Sequence, residues 1–189
     1  MFEDELDADP IVQFDAWYRE AGTDAVCLVT ASADGAPAGR MVLLKGHDER
    51  GFAFYTNFDS AKGRDLAENP RAALVFHWLP ERQVRVTGRV SRVGDEEAEA
   101  YWRNRPRASQ LSAWASRQSA VIESRDILEQ RVAELAERFR GEVPQPPFWG
   151  GYRVEPETIE FWHHRDDRLH DRLRYRRDNG AWLRERLAP

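Results

Sequence analysis

The sequence predicts an α+β domain, an antiparallel β-barrel or sandwich with peripheral helices. Three observations lead there. Short β-branched and aromatic runs follow one another in hairpin order between residues 25 and 93. A helical block with apolar residues spaced by three and four occupies residues 95–140. Four further strand-like runs, joined by charged turns, fill residues 151–186. At 189 residues a single domain is expected. A chain of that size buries roughly 70% of the surface it exposes when unfolded and needs no covalent staples.

Each element has a local reason. Residues 1–9 are expected to form a flexible N-terminal segment. Asp9-Pro10 opens the first helix, with Asp as cap and Pro at the first helical position. Ile11, Phe14, Trp17 and Tyr18 then keep helical spacing, and Gly22 ends it. Ala25–Ala31 is an apolar, β-branched strand, and Asp34-Gly35 is a hairpin signature. Residues 40–45 (RMVLLK) are a second strand, 47–51 a polar turn and 52–56 (FAFYT) a third strand. Ser60 caps a short helix over 60–68, stopped by Asn69-Pro70; Arg71–Trp78 and residues 83–93 are two more strands. Residues 95–104 form a helix whose acidic first turn suits its dipole. A short helix covers 109–116 and a longer one 124–140, with Ile127, Leu128, Val132, Leu135, Ala136 and Phe139 on one face. After a Pro-rich connector at 143–149, strands are expected at 151–154, 158–162, 169–175 and Ala181–Arg186.

Composition excludes several classes. With 28 basic against 33 acidic side chains the net charge is −5, which gives no general attraction to nucleic acid. No apolar run approaches the roughly 20 residues of a membrane span. The acidic start, Glu3-Asp4-Glu5, is unlike a basic signal sequence, and the single Cys27 cannot form an internal disulfide. Cytoplasmic residence is therefore expected. Walker-type, Gly-x-Ser-x-Gly and Gly-x-Gly-x-x-Gly loops are absent. A metal role is not expected for His163-His164, because neighbours in a strand point to opposite faces.

Four groups of residues invite chemistry. In an extended chain Arg168, His170 and Arg172 share one face, a cationic surface suited to a phosphate or a phenolate-like oxygen. The same residues also describe a solvated charged strand balanced by Asp166, Asp167 and Asp171. Tyr101 and Arg105 lie four apart on a helix face ahead of Ser109, where hydroxyls and a guanidinium can cradle a phosphate or simply cap an exposed helix end. Gln83, Arg85, Thr87 and Arg89 alternate with apolar residues and face either solvent or a ligand. Lys45 ends an apolar strand, a position that also serves edge protection.

Taken together, the segments resemble the pyridoxine/pyridoxamine 5′-phosphate oxidase family. Residues 159–163 (IEFWH), followed after four residues by 168–172 (RLHDR), match that family's signature position by position. Supporting matches are 40–45 (RMVLLK), 55–57 (YTN), 82–84 (RQV), 105–110 (RPRASQ), 114–119 (WASRQS), 148–151 (FWGG) and 186–189 (RLAP). The resemblance implies a split β-barrel homodimer with FMN at the subunit interface. It assigns FMN contacts to Arg40, Met41, Val42, Leu43, Leu44, Lys45, Tyr55, Thr56, Lys62, Gln83, Gln118, Ser119, Trp162 and Arg172. It assigns the substrate phosphate to Lys45, Tyr101, Arg105 and Ser109, and the substrate ring to Arg168 and His170.

The implied reaction is oxidation of pyridoxamine or pyridoxine 5′-phosphate at its exocyclic C4′ carbon. Hydride passes to the flavin, and oxygen is the acceptor that becomes hydrogen peroxide. The protein's share is position and electrostatics. Three departures from the family pattern stand out. Ala61 occupies a position usually held by Arg, the stretch 78–82 is one residue short, and the N-terminus lacks the basic residues of a substrate-covering segment. Two other readings remain open: a related flavin oxidase of phenazine biosynthesis, and a split-barrel protein that holds flavin or pyridoxal phosphate without turnover. A nucleic-acid role for residues 165–177 is disfavoured, because Asp residues interrupt the basic run.

Overall fold

The computed structural model describes Met1, residues 3–78 and residues 80–189. Helix α1 (Pro10–Ala21) starts where Asp9 accepts a hydrogen bond from the Ile11 N–H and stops at Gly22, whose φ of 65° suits glycine. Strands β1 (Ala25–Ala31) and β2 (Pro37–Leu43) form a hairpin. The expected polar turn at 47–51 contains a short strand, β3 (Gly46–Asp48), which pairs with β4 (Gly51–Asn57). Helix α2 (Ala61–Glu68) is capped by Ser60, whose hydroxyl accepts from the Gly63 N–H. Strands β5 (Arg71–Trp78) and β6 (Arg82–Arg92) follow. The shortened stretch before Gln83 includes Leu79, which lies outside the described residues.

The sheet order is β2-β1-β5-β6-β7-β4-β3, with β7 running from Trp149 to His163. Its two ends are consecutive parts of one chain segment. The Leu44 N–H donates to Asp24 O and the Lys45 N–H to Ala53 O, both at 2.8 Å, so the chain swings from pairing with β1 to pairing with β4. The barrel closes there, which removes open edges. Strands β8 (Asp171–Asp178) and β9 (Ala181–Arg186) extend from the far half of β7 as a separate ribbon. The expected split barrel is the observed architecture.

Alternation along the strands sends Val26, Leu28, Leu74, Phe76, Val84, Val86, Ile159 and Phe161 into one core. Helix α1 plugs it through Phe14, whose ring meets Phe52 and Phe76 edge-on at 4.8 and 4.9 Å. Helices α3 (Asp95–Arg103), α4 (Arg107–Ala115) and α5 (Asp126–Arg138) sit outside around a smaller core of Trp102, Leu111, Val143 and Trp149. The strongly amphipathic α5 buries none of its residues fully; its apolar face rests half-buried against that cluster. Among the described residues no helix is long and apolar enough to cross a membrane.

Two expectations need correction. The separate strands at 151–154 and 158–162 are one strand. Pro156 does not break it because a bulge at Glu157 of β7, opposite the Thr87–Gly88 step of β6, shifts the register there. The segment before α1 is anchored where flexibility was expected. Leu6 is buried in the main core, the Tyr175 hydroxyl donates to Asp7 O at 2.6 Å, and Arg186 pairs with Glu3 at 2.7 Å.

The bulge yields a prediction. A Cβ on Gly88 would stand 1.8 Å from the Glu155 carbonyl oxygen, a backbone atom that cannot step aside. Gly88→Ala is expected to lose about 3 kcal/mol of unfolding free energy in urea denaturation, as overpacking does. A loss below about 0.5 kcal/mol would show that the bulge yields freely.

Candidate functional site

A buried cationic recess lies between β2, β4 and the start of α2. Thr30 on β1 accepts from the Arg40 guanidinium at 2.6 Å and itself donates to Asp65 at 2.6 Å. Lys62 enters from the first turn of α2 and is only 7% exposed. Its ammonium donates to Thr56 Oγ1 (3.1 Å), Ser60 Oγ (3.2 Å) and Gln118 Oε1 (3.0 Å), all neutral oxygens. Burial pushes the Lys62 ammonium down to about 8, and the nearby Arg40 charge pushes the same way. Ser119, at a left-handed φ of 73°, accepts from the Ala61 N–H at 3.2 Å. A buried ammonium, a half-buried guanidinium that also pairs with Asp65 and a helix N-terminus converge here, the chemistry of a phosphate cradle. The donor set therefore fits the phosphate of FMN.

An aromatic platform adjoins the recess. Tyr55 stacks on Tyr101 at 4.0 Å and 15°, and on Trp149 at 5.6 Å and 14°. The Arg105 guanidinium lies 4.9 Å over the Trp149 ring and donates to Ser109 O at 3.2 Å. Its Nε is buried without a hydrogen-bond partner among the described residues, and burial pushes the group down from its ordinary value. Such an orphaned donor calls for an acceptor. Tyr55, Thr56, Arg105, Ser109 and Gln118 line one cavity of about 410 Å³. Tyr101 and Arg105 do meet, but not on one helix face as expected. Helix α3 ends at Arg103, because Pro106 forces the residue before it out of helical conformation.

A second group occupies the outward face of β6, β7 and β8. Gln83, Trp162 and Arg172 form one rung across these strands. Arg172 donates to Glu160 and to Ala188 O, both at 2.8 Å, while Arg85 pairs with Glu160 from the other side. Burial pushes the Glu160 carboxyl up, but the Arg172 and Arg85 hydrogen bonds outweigh it and hold the group below the usual carboxylate range. His170 lies 4.7 Å from the Trp162 ring, and its Nδ1 accepts from the Arg165 N–H at 3.1 Å. In the neutral ring the proton therefore sits on Nε2.

The extended-strand argument for Arg168 fails. Arg168 takes a left-handed turn at φ 62°, and β8 begins only at Asp171. Turn residues 165–168 reverse the chain, so sharing a face by alternation does not apply to Arg168.

The remaining expected contacts divide. On β2 the Met41 and Leu43 side chains are exposed, whereas Val42 and Leu44 pack inward with the core. Leu44, buried in the core, can therefore touch a ligand only through its backbone. Lys45 pairs with Asp24 and has no hydrogen bond or ion pair to Tyr101, Arg105 or Ser109. No described hydrogen bond, ion pair or ring contact joins the Lys62 recess to the Trp162 rung within one chain. Sequence reasoning missed Glu160 as the anion that orients Arg172; a lone acid in the apolar alternation Ile159-Glu160-Phe161 was the available signal. Among the described residues no cluster is placed to hold a metal ion.

Fold and site define the class of FMN-binding split-barrel oxidoreductases. Residues 14–139 match the family model described as pyridoxamine 5′-phosphate oxidase. Residues 149–189 match that of the pyridoxine 5′-phosphate oxidase C-terminal dimerisation region. The chain belongs to the pyridoxine/pyridoxamine 5′-phosphate oxidase family. A relative of that name from Rubrobacter xylanophilus is 56% identical over 99% of this chain and 90% of its own length. One from Acaryochloris marina is 53% identical, covering 100% of this chain and 90% of its own. Among solved structures, PhzG from Burkholderia lata, in complex with tetrahydrophenazine-1-carboxylic acid, superposes with a TM-score of 0.93 at 32% identity, covering 100% of this chain and 98% of that one. A pyridoxamine 5′-phosphate oxidase-related, FMN-binding protein from Nostoc punctiforme shares the fold, with a TM-score of 0.76 at 17% identity over 97% of this chain and 100% of that one.

Proposed function

We propose that the protein oxidises pyridoxamine 5′-phosphate, pyridoxine 5′-phosphate or both to pyridoxal 5′-phosphate, with FMN as cofactor and O2 as acceptor. The carrying observation is a pair of adjoining cationic sites, Lys62 with Arg40 and Arg105 with its orphaned Nε, on either side of Tyr55-Thr56. Two phosphorylated ligands, cofactor and substrate, need two such sites.

FMN, when bound, supplies the redox chemistry, taking hydride from the exocyclic C4′ carbon and passing electrons to oxygen. The chain's own groups supply the rest. Lys62 and Arg40 neutralise the cofactor phosphate. Tyr101, Arg105 and Ser109 hold the substrate phosphate, a remote group whose binding energy fixes the reacting geometry. Lys45 joins them only by exchanging its Asp24 partner for the phosphate. A guanidinium offers donors and no acceptor, so Arg168 orients the substrate ring and stabilises negative charge on its oxygen rather than acting as a base. His170 offers Nε2–H to the same oxygen. The Gln83–Trp162–Arg172 rung completes the site from a second copy of the chain, a reading supported by the match to the dimerisation region. Sedimentation of the holoprotein as a monomer would refute that. Cytoplasmic residence belongs to the same proposal.

The test is an absorbance spectrum followed by turnover. A flavin spectrum and peroxide production with pyridoxamine 5′-phosphate are expected. A second reading, oxidation of a phenazine precursor, is favoured by the PhzG superposition. It predicts turnover of a dihydrophenazine carboxylic acid instead. A flavin-loaded protein reduced by neither substrate would instead be a binding protein.

Two further outcomes are expected. Ala61→Arg should tighten FMN about tenfold or more, since a charge-assisted hydrogen bond contributes about 1.5–3 kcal/mol. Flavin titration that shows no tightening would place position 61 away from the phosphate. Arg168→Met and His170→Asn should retain FMN yet slow anaerobic flavin reduction in stopped flow, the Arg change more so because charge and planar surface both go. Normal reduction in both variants would overturn these roles.

A further inference from the structure

His163-His164 has no part in the function above, yet His164 sits beside the substrate-ring group. Its ring lies 5.2 Å from that of His170 and 6.1 Å from that of Trp162, which is itself 4.7 Å from His170. Those three distances describe a closed triangle of rings, not a sandwich. His164 thus flanks the pair from one side, nearer to the ring assigned to the substrate than to the ring assigned to the flavin.

The three members are held very differently. Trp162 belongs to the sheet, in register with Gln83 and Arg172. His170 stands outside the ladder, on the turn that carries the left-handed Arg168, where its recorded hydrogen bond comes from the Arg165 N–H. Beyond that bond, the ring contacts with Trp162 and His164 are what orient the imidazole plane. His164 is fixed at its backbone: its N–H donates to Glu81 O at 2.8 Å, and its carbonyl lies 3.0 Å from His163 Nδ1. The ring also approaches Asp166 at 3.4 Å, although that carboxylate is fully exposed.

We infer that His164 is a positioning residue, whose ring sets the spacing and tilt of His170 against Trp162. The inference rests on the reading of His170 as the group that meets the substrate ring. The property required is a flat ring at this place; the imidazole's charge is not needed. A side chain without a ring leaves His170 a range of orientations, and misplacement on the ångström scale slows a reaction that depends on near-attack geometry.

The test compares holoenzymes of the parent, His164→Ala, His164→Phe and His164→Gln, with FMN affinity, pyridoxal 5′-phosphate affinity and steady-state turnover as readouts. His164→Ala is expected to bind FMN like the parent, to bind pyridoxal 5′-phosphate several-fold more weakly and to lose about tenfold in kcat/KM. His164→Phe is expected to restore both losses to within about twofold. An active parent with an unchanged His164→Ala variant overturns the inference and leaves the proposed function standing. So does failure of His164→Phe to rescue while His164→Gln succeeds, because a hydrogen bond would then be the required property. A parent that retains FMN but oxidises no pyridoxamine 5′-phosphate overturns the proposed function and this inference with it.

Discussion

Replacing Lys62 with methionine is expected to weaken FMN binding by about a hundredfold while leaving the apoprotein at least as stable as the parent. The two effects have one cause. The ammonium is buried, hydrogen-bonded to neutral oxygens and close to Arg40, and the Asp65 carboxylate offsets this only in part, so without a bound phosphate its charge is a burden on the fold. The sign follows from the shift of Lys62 from 10.5 to about 8. Below pH 8 both the folded and unfolded chains carry the proton, and the full penalty of roughly 3 kcal/mol applies. Between 8 and 10.5 the folded protein releases the proton while the unfolded chain keeps it, so apoprotein stability rises with pH.

Ligand binding runs the other way. A bound phosphate holds the proton on Lys62, so above pH 8 the parent must take up a proton to bind. FMN affinity should then fall, approaching tenfold per pH unit. Fluorescence titration between pH 7 and 9.5 measures this in the parent, and the slope should vanish in Lys62→Met. Equal FMN affinity in the two proteins, or a methionine variant that unfolds more readily than the parent, would remove Lys62 from the phosphate site.

Arg105→Ala should raise KM for pyridoxamine 5′-phosphate by at least tenfold and lower kcat/KM by up to a hundredfold, with the flavin spectrum intact. The buried Nε has no acceptor among the described residues, and the guanidinium rests on Trp149 beside Ser109. One charged hydrogen bond is worth about 1.5–3 kcal/mol, and the lost stacking adds to it. The unphosphorylated amine gives the control, because its turnover should barely change. If both substrates suffer alike, Arg105 supports the Tyr55–Tyr101–Trp149 stack rather than the phosphate.

Much of this site was legible as residue types and little of it as geometry. Tyr101, Arg105 and Ser109, proposed to hold the substrate phosphate, carry phosphate-binding chemistry in their residue types, yet the helical spacing that predicts the first two as neighbours is not what unites them. They meet because α3 stops before Pro106 and the chain turns back over Trp149. Arg168, His170 and Arg172 were grouped by alternation, but the turn at 165–168 leaves Arg168 outside that pattern. Glu160 has no role legible in the sequence beyond its place in a motif, since nothing local says that Arg85 and Arg172 will close on it from two other strands.

The sequence by itself determined the family, the class of fold, the caps at Asp9 and Ser60 and the inward faces of β1, β5 and β6. Those are properties of neighbours along the chain: a capping oxygen two or three residues from an amide, or apolar side chains at a period of two. Only the tertiary structure decided that residues 37–48 close the barrel, that β7 runs unbroken past Pro156 and that Lys62 is surrounded by neutral oxygens. It also decided that Lys45 faces Asp24 and that the Lys62 recess and the Trp162 rung lie apart on one chain. Each of these depends on register and burial between residues distant in sequence. The free energy of a charge or a bulge is set by what packs against it, and local pattern does not carry that information.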